Sequence, residues 1–370
     1  MKLILSTSNI LAAGASIHRP TKSKSNAELI ASLRANFDAH SAPTTPARSP
    51  SSHDNGNPAP PPQTPSYTAW TAQNASTLEI PALDFTASAL HEERDQYDIT
   101  LKLFYLPSPS PSTTSRAQQT REALSLVLQE LHMPSIDLLI LSFPAIYFDE
   151  DEACPDNNNK LSSRGPPELL PESFTSLLAT WAIAERLHDE GLVKRLGVAE
   201  FGTDRLRDFV AATRVKPSVD QINLRDCCSV PKELLLLAKK EGVELLVHND
   251  CSNVLPRGTV RELLGPEGAG ILAAQAPFAG SKHHLDDDGS AVGDGDTGKR
   301  KSGLKRKSLH GEEAVTNGNG ATAHTAELAS EPAGLAGEVT PQWVVKYTAV
   351  VRNRGVVENK GYFAGAAVVD

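Results

Sequence analysis

Residues 193–224, "VKRLGVAEFGTDRLRDFVAATRVKPSVDQINL", decide the fold, because a strand, a helix and a second strand follow one another there. "VKRLGVAEF" and "SVDQINL" are short apolar runs of strand length, whereas "TDRLRDFVAATR" has the apolar spacing of an amphipathic helix. Thr203 is placed to act as the N-cap of that helix. A unit of this kind predicts two parallel neighbouring strands joined by a crossover helix.

The same unit recurs on both sides of this stretch. "ITLKLFYL" and "IDLLILSF" are strand-like and each precedes a helical pattern, and "PKELLLLAKKEG" is a helix with Pro231 at its start and Gly242 past its end, followed by "VELLVHND". No glycine-rich phosphate loop follows the first strand, as an open dinucleotide-binding sheet would require. The repeated unit therefore predicts an α/β fold, a (β/α)8 barrel, for which ~250 residues are typical.

The 370 residues exceed that length, and two segments rich in Pro, Ser, Gly or charge account for the excess. We expect residues 1–39 to form the first strand and helix of the barrel, 67–280 its main part and 337–370 its last segment. Residues 40–66 and 281–336 are expected to be disordered insertions.

The second insertion contains a basic cluster, which is either a nuclear import signal, a phosphorylation-controlled tether or a solvated charge run. A scaffold whose function lies in this insertion is one hypothesis for the whole chain. The cluster consists of Lys299, Arg300, Lys301, Lys305, Arg306 and Lys307.

Composition excludes several classes of function. A formal charge of -9 argues against nucleic acid as the main partner, because phosphate binding needs a basic face. The four cysteines lack zinc-site spacing, so no metal is expected, and their scarcity fits a reducing compartment. "MKLIL" favours a buried first strand over a signal peptide, and no apolar run approaches the ~20 residues of a membrane helix. We expect a cytoplasmic protein without a membrane or nucleic-acid partner.

The functional residues of such a barrel lie at the carboxyl ends of the strands. Each of the polar residues there is also explained by a structural role, as a hydrogen-bonded histidine, a strand-bridging amide or a lysine facing solvent. No motif of a nucleophilic serine, a phosphate loop or a zinc protease accompanies them. The candidate residues are Lys102, Ser142, Glu200, Gln221, Asn223, His248, Asn249 and Asp250.

"ITLKLF", "IDLLILSFP", "GLVKRLGVAEF" and "KPSVDQINL" resemble, in this order, motifs of the aldo-keto reductases, which are NADP-dependent (β/α)8 barrels. The resemblance places the family's catalytic lysine on Lys102 and its catalytic histidine on Ser142, whose hydroxyl cannot polarise a carbonyl as imidazole does. The catalytic tyrosine and aspartate should lie upstream, where Asp84 and Tyr97 do not follow the family's pattern.

The resemblance also places Ala199 and Glu200 where reductases use Ser-Asn to hold the nicotinamide carboxamide. Gln221 is retained as a third contact, and His248 replaces a stacking tyrosine. We expect a vestigial cleft of Lys102, Ser142, Gln221, Asn223 and His248, with no cofactor, although weak NADP(H) binding stays open. The alternative is an NADP-dependent oxidoreductase with an altered site.

"DQINLRDCCSVPKELLLLAKKEGVELLVHND" and "TPQWVVKYTAVVRNRGVVENKGY" resemble more narrowly the regulatory (modifier) subunits of glutamate–cysteine ligase, in their fungal form. The resemblance implies a non-catalytic chain that forms a heterodimer with the catalytic subunit, raises its activity and relaxes its feedback inhibition by glutathione.

Candidate partner-binding residues lie near the end of the chain and in a cysteine pair. "WVVKYTAVV" fits a helix and a strand alike, and its aromatic residues either contact the partner or pack in the core. The paired thiols are either redox-sensitive contacts or small buried hydrophobes. The candidates are Trp343, Tyr347, Arg352, Arg354, Tyr362, Cys227 and Cys228.

Overall fold

The computed structural model describes residues 1–12, 25–41, 69–87, 90–107, 112–148, 171–224, 229–250, 253–264 and 338–369. Nearly all of the expected insertion at 40–66, the whole of 281–336 with its basic cluster, and Cys227 and Cys228 lie outside these residues.

The described residues form ten strands and five longer helices, which alternate regularly in the middle of the chain. The strands are β1 Lys2–Ser6, β2 Ala72–Asn74, β3 Thr77–Ile80, β4 Tyr97–Tyr105, β5 Ile136–Ser142, β6 Val193–Ala199, β7 Val219–Ile222, β8 Glu244–Val247, β9 Glu338–Val351 and β10 Val356–Val369. The helices are α1 Ser25–Ser41, α2 Thr113–Leu131, α3 Phe174–Asp189, α4 Thr203–Ala212 and α5 Lys232–Glu241.

All ten strands belong to one sheet in the order β2-β3-β1-β10-β9-β4-β5-β6-β7-β8. Strands β4 to β8 are parallel neighbours in chain order, joined by α2 to α5. This run confirms the α/β class and the repeated β/α unit. The long hairpin β9–β10 is antiparallel to both of its neighbours and joins β1 to β4, so "WVVKYTAVV" is a strand. Among the described pairings, β2 and β8 are the two ends of the sheet.

The register separates the side chains into two faces. Leu103, Val345 and Phe363 pair across β4, β9 and β10, and they share a core cluster with the buried sides of α2 to α5; we call this the outer face. Phe104 and Val344 lie on the opposite, inner face, in a second cluster that includes α1. Both faces of the hairpin are therefore covered, which explains its high content of buried apolar residues.

The helix ends predicted from capping residues in the sequence agree with the structure for α5 and differ by one residue for α4. Pro231 and Gly242 flank α5 as predicted, and Gly242 has the left-handed conformation, with φ of 73°, that suits glycine at a helix end. Helix α4, however, begins at Thr203, and Gly202 occupies the N-cap in an extended conformation without a side-chain hydrogen bond. The prediction of Thr203 as N-cap was wrong by one residue, because a glycine also provides the extended backbone required there.

Two glycines of β10 make room for the aromatic side chains of β9. Gly365 pairs with Trp343, and Gly361 pairs with Tyr347. A Cβ atom added at either glycine would overlap the facing ring. The glycines thus allow the large rings to lie flat across the neighbouring strand, which is a known role of glycine inside a sheet.

Candidate functional site

Four of the candidate residues lie together near the carboxyl ends of the strands, and Lys346 of the hairpin, which was not among the candidates, joins them. Lys102 Nζ lies 3.2 Å from Asp250 Oδ2, and Lys346 Nζ lies 2.9 Å from Asp250 Oδ1. Lys102 and Lys346 face each other across β4 and β9 on the inner face. One carboxylate therefore bridges two lysines, and we call this group, with His248 and Glu200, the lysine–aspartate cluster.

His248 links the two carboxylates of the cluster. Its Nδ1 accepts a hydrogen bond of 3.0 Å from the backbone N–H of Asp250 and lies 3.3 Å from Lys102 Nζ. Its Nε2 lies 2.6 Å from Glu200 Oε1, although the atoms are not aligned as a regular hydrogen bond. Because Nδ1 accepts, a neutral ring carries its proton on Nε2, facing Glu200.

Glu200 is held in the turn after β6 by its backbone and its side chain. Its φ of 68° is in the left-handed region, which costs a residue with a Cβ atom roughly 1–2 kcal/mol. Its N–H donates to the carbonyl of Gln221 at 2.8 Å, and its Oε2 accepts from the N–H of Phe148 at 3.1 Å. These bonds hold the Glu200 carboxylate at the carboxyl edge of the sheet, and they offset the cost of its strained backbone.

Burial sets the electrostatics of the cluster. Burial lowers the pKa of Lys102, and the nearby charges of Asp250 and Glu200 oppose that shift only in part. Burial alone would raise the pKa of Asp250, but Lys102, Lys346 and His248 outweigh it and hold that pKa well below its usual range. Asp250 is therefore ionised, and its negative charge is paired with the two lysines inside the protein.

The other residues of the predicted cleft differ in whether they contact the lysine–aspartate cluster. Asn223 Nδ2 donates to the backbone carbonyl of Asp250 at 3.3 Å and so positions the aspartate. Gln221 has a buried Oε1 without a hydrogen-bond partner among the described residues. Ser142 is buried at the end of β5, opposite Phe104. Ala199 is buried in a small apolar cluster on the inner face.

Neither upstream candidate for a catalytic acid reaches Lys102. Asp84 is exposed and bonds to the backbone N–H and hydroxyl of Thr86 at 2.9 and 2.6 Å. Tyr97 begins β4, at the end of the strand away from the cluster, and donates to Glu358 Oε2 at 2.8 Å.

Two aromatic partner candidates are core residues. Trp343 and Tyr347 are 0% and 1% exposed, which agrees with the alternative that they pack in the core. Tyr362 is also buried, and its hydroxyl donates to Glu28 Oε1 at 2.9 Å.

The two arginine candidates differ in their surroundings. Arg352 donates to the carbonyl of Tyr97 and to Asp137 Oδ1, each at 2.9 Å. Arg354 is exposed and paired with Glu92.

Lys346 was not singled out from the sequence. The one sequence signal for Lys346 was a charged residue within the apolar run "WVVKYTAVV". That run alone does not show which strands the segment pairs with.

In the described part of the chain, no group of three or more histidine, cysteine or acidic side chains is arranged to hold a metal ion. None of the described helices combines the length and apolar character needed to cross a bilayer.

Residues 79–256 match the model of the aldo/keto reductase family. The chain is also similar to a protein of Schizosaccharomyces pombe named putative glutamate–cysteine ligase regulatory subunit, at 30% identity over 47% of this chain and 60% of that protein. The human glutamate–cysteine ligase regulatory subunit is 22% identical over 74% of this chain and 68% of its own length. The match thus spans less than two thirds of the yeast relative. These similarities confirm both family resemblances inferred from the sequence.

Solved structures of reductases are similar to the chain over less than half of its length. The aldose reductase of Schistosoma japonicum is 24% identical over 41% of this chain and 46% of its own, with a TM-score of 0.30. An aldo-keto reductase of Bombyx mori solved with NADP is 20% identical over 36% of both chains, with a TM-score of 0.26. Overlap this limited adds nothing to the assignment of the site.

Proposed function

We propose that this chain, whose residues 79–256 match the aldo/keto reductase family, is a non-catalytic regulatory subunit of glutamate–cysteine ligase. In this proposal it forms a heterodimer with the catalytic subunit in the cytoplasm and enhances formation of γ-glutamylcysteine in glutathione biosynthesis. The similarity to proteins named as regulatory subunits supports this function.

The observation that carries the non-catalytic assignment is the bridging of Lys102 and Lys346 by Asp250. Carbonyl reduction needs a proton donor within hydrogen-bond reach of the substrate oxygen. Here the lysine at the catalytic position is buried and directed at an internal carboxylate, and no described tyrosine hydroxyl contacts it. The cluster therefore fits a role in stabilising the strand ends.

The cofactor turn supports the same conclusion. Ala199 offers no hydroxyl, and Glu200 places a negative charge, fixed by Phe148, where the family uses an amide. A fixed carboxylate that already accepts a backbone N–H is a poor substitute for a carboxamide-binding side chain.

The test is to mix the purified chain with the ligase catalytic subunit and measure γ-glutamylcysteine formation. We expect a lower KM for glutamate and weaker inhibition by glutathione than with the catalytic subunit alone, and no ligase activity from this chain by itself. Unchanged values at a saturating amount of the chain would overturn the proposal. Deleting residues 281–336 should leave the activation in place, whereas its loss would favour a scaffold acting through that segment.

An oxidoreductase is the second candidate, because Lys102 is present, buried and 3.3 Å from His248, and burial lowers its pKa. Tight NADPH binding with aldehyde reduction, abolished in Lys102→Met, would support it. We expect neither activity in the wild-type chain.

A further inference from the structure

We infer that the inner face of the sheet carries a binding site for a small oxyanion, which the Glu28 carboxylate of α1 closes as an internal ligand. We call this site the lysine row and define it by Lys346, Tyr362 and Lys360. An ammonium group and a hydroxyl that converge on one oxygen suit a phosphate or a carboxylate. Such a site does not depend on the function proposed above.

Cross-strand pairing places the donors of the lysine row side by side. Lys346 of β9 pairs with Tyr362 of β10, and Lys360 lies two residues before Tyr362, on the same face of that strand. Lys102 lies on the other side of Lys346 and shares Asp250 with it. The donors therefore form one continuous strip across β9 and β10, next to the lysine–aspartate cluster.

Glu28 is the acceptor that occupies this strip. It lies in the first turn of α1, and its Oε1 is 2.5 Å from Lys360 Nζ and accepts a hydrogen bond of 2.9 Å from the Tyr362 hydroxyl. Burial alone would raise the pKa of Glu28. The hydrogen bonds from Lys360 and Tyr362, with the charge of Lys346, outweigh burial and lower that pKa. An ionised carboxylate oxygen is thus held as an oxygen of a free anion would be.

The charges around the row balance only when Glu28 is included. Three lysines are paired with three carboxylates, and Glu28 is the carboxylate that α1 supplies, whereas the other two come after β6 and β8. Without Glu28, one positive charge is unbalanced on a half-buried surface, which favours an anion from solution. The lysines are Lys102, Lys346 and Lys360, and the carboxylates are Glu28, Glu200 and Asp250.

The packing of α1 on the inner face has one unfavourable feature. Its buried apolar anchors are Leu29, Leu33 and Phe37. Beside them, Ser32 is 3% exposed, and its buried hydroxyl has no hydrogen-bond partner within the described ranges. A buried hydroxyl without a partner costs free energy, so the helix is held less firmly than its apolar contacts alone imply. An anion therefore competes with α1 for the lysine row.

Glu28→Gln tests the row, because it removes the charge of the internal ligand and keeps its shape. We expect this variant to bind inorganic phosphate at least about ten-fold more tightly than the wild type, as measured by isothermal titration calorimetry at constant ionic strength. Asp38→Asn is the matched control, since it removes a carboxylate from an exposed position of the same helix, and should bind phosphate as the wild type does. Equal affinities of the wild type and Glu28→Gln overturn the inference.

A second substitution locates the bound phosphate. Lys360→Met, added to Glu28→Gln, removes the cation that Glu28 contacts and should abolish the gain in affinity. A gain that survives in the double variant shows that phosphate binds elsewhere, which overturns the assignment of the row. Thermal melting of each variant confirms that it is folded.

Hydrogen exchange tests the competition in the wild-type chain, without any substitution. Phosphate that takes the place of Glu28 should speed exchange of the Leu33 and Phe37 amides at least about three-fold relative to chloride of the same ionic strength, because binding and helix release are linked. The amides of β5 should be unaffected. Equal exchange of the α1 amides in the two salts means that no anion competes with the helix, which overturns the inference.

Discussion

Asp250 lies between Lys102 and Lys346, with one carboxylate oxygen 3.2 Å from the first Nζ and the other 2.9 Å from the second. The lysines come from adjacent antiparallel strands that are far apart in sequence, and the aspartate follows β8. The ion pair thus connects the C-terminal hairpin to the run of parallel strands. Lys102 therefore has an internal ionic partner.

Replacing Asp250 by asparagine should destabilise the chain by about 3–5 kcal/mol, because it leaves Lys102 buried without its counter-charge. Urea unfolding of both proteins measures the difference. Asp84→Asn is the matched control, since Asp84 is exposed and bonds to the nearby Thr86, and should change stability by about 0.5 kcal/mol or less. A similarly small effect for Asp250→Asn would show that the ion pair is not a major contribution.

The same aspartate predicts a loss of stability in acid. The folded pKa of Asp250 is lowered relative to an unfolded value near ~3.9. Its contribution is therefore present above about pH 4 and is lost as the pH falls through the lower folded value. The difference in unfolding free energy between wild type and Asp250→Asn should shrink as the pH is lowered from 7 to 3. A difference independent of pH would contradict the assignment.

Gly365→Ala should destabilise the hairpin by about 1–3 kcal/mol, because a Cβ atom would overlap the Trp343 indole in a filled core. Gly355→Ala is the control within the same hairpin: it has open space but a φ of 62°, so only backbone strain of about 1 kcal/mol is expected. Chemical denaturation with tryptophan fluorescence measures both. A smaller effect at Gly365 than at Gly355 would contradict the packing argument.

The β/α units could be predicted because their signals are local. All seven residues of "IDLLILS" are buried in β5, as a continuous apolar run suggests, and the helix patterns lie between such runs. The hairpin could not be placed in the same way. Its position depends on pairings such as Lys2 with Ala367, which no local pattern contains.

The candidate site could be predicted only in part, because most of its residues belong to the β/α units but one comes from the hairpin. Glu200, His248 and Asp250 follow the carboxyl ends of β6 and β8, which a parallel fold brings together, and Lys102 lies in the second half of β4. Lys346 enters through the hairpin, so its role as second partner of Asp250 could not be foreseen. Trp343 and Tyr347 had the composition of an interface, but the glycines that accommodate them across the strand pair show them to be core.

Asp137 should be as important as Asp250 at the opposite end of the sheet. Its carboxylate accepts hydrogen bonds of 2.7 to 2.9 Å from three side chains, those of Arg94, Lys194 and Arg352, and one of 2.8 Å from the N–H of Ile99. Asp137→Asn should cost about 3 kcal/mol in unfolding free energy, because it replaces one buried carboxylate oxygen, and the charge that pairs with Arg94, by an NH2 group that cannot accept a hydrogen bond.

Arg352→Ala removes only one of these bonds and should cost about 1 kcal/mol. Arg354→Ala, which breaks an exposed pair with Glu92, should cost less than about 1 kcal/mol. Urea titrations of the three variants test this order. Equal effects for Arg352→Ala and Arg354→Ala would show that Arg352 does not support the Asp137 network.

Replacing Ala199 and Glu200 by the serine and asparagine that the reductase resemblance implies tests the proposal that these two residues prevent cofactor binding. The double change Ala199→Ser with Glu200→Asn introduces a hydroxyl and an amide, and asparagine tolerates the left-handed backbone found at Glu200 better than most residues. We expect this variant to bind NADPH at least about ten-fold more tightly than the wild type, as measured by quenching of cofactor fluorescence. Glu200→Ala separates loss of charge from gain of contacts, and it should show a smaller increase. If the wild type binds NADPH as tightly as the double variant, the turn is a working cofactor site and the oxidoreductase alternative is favoured.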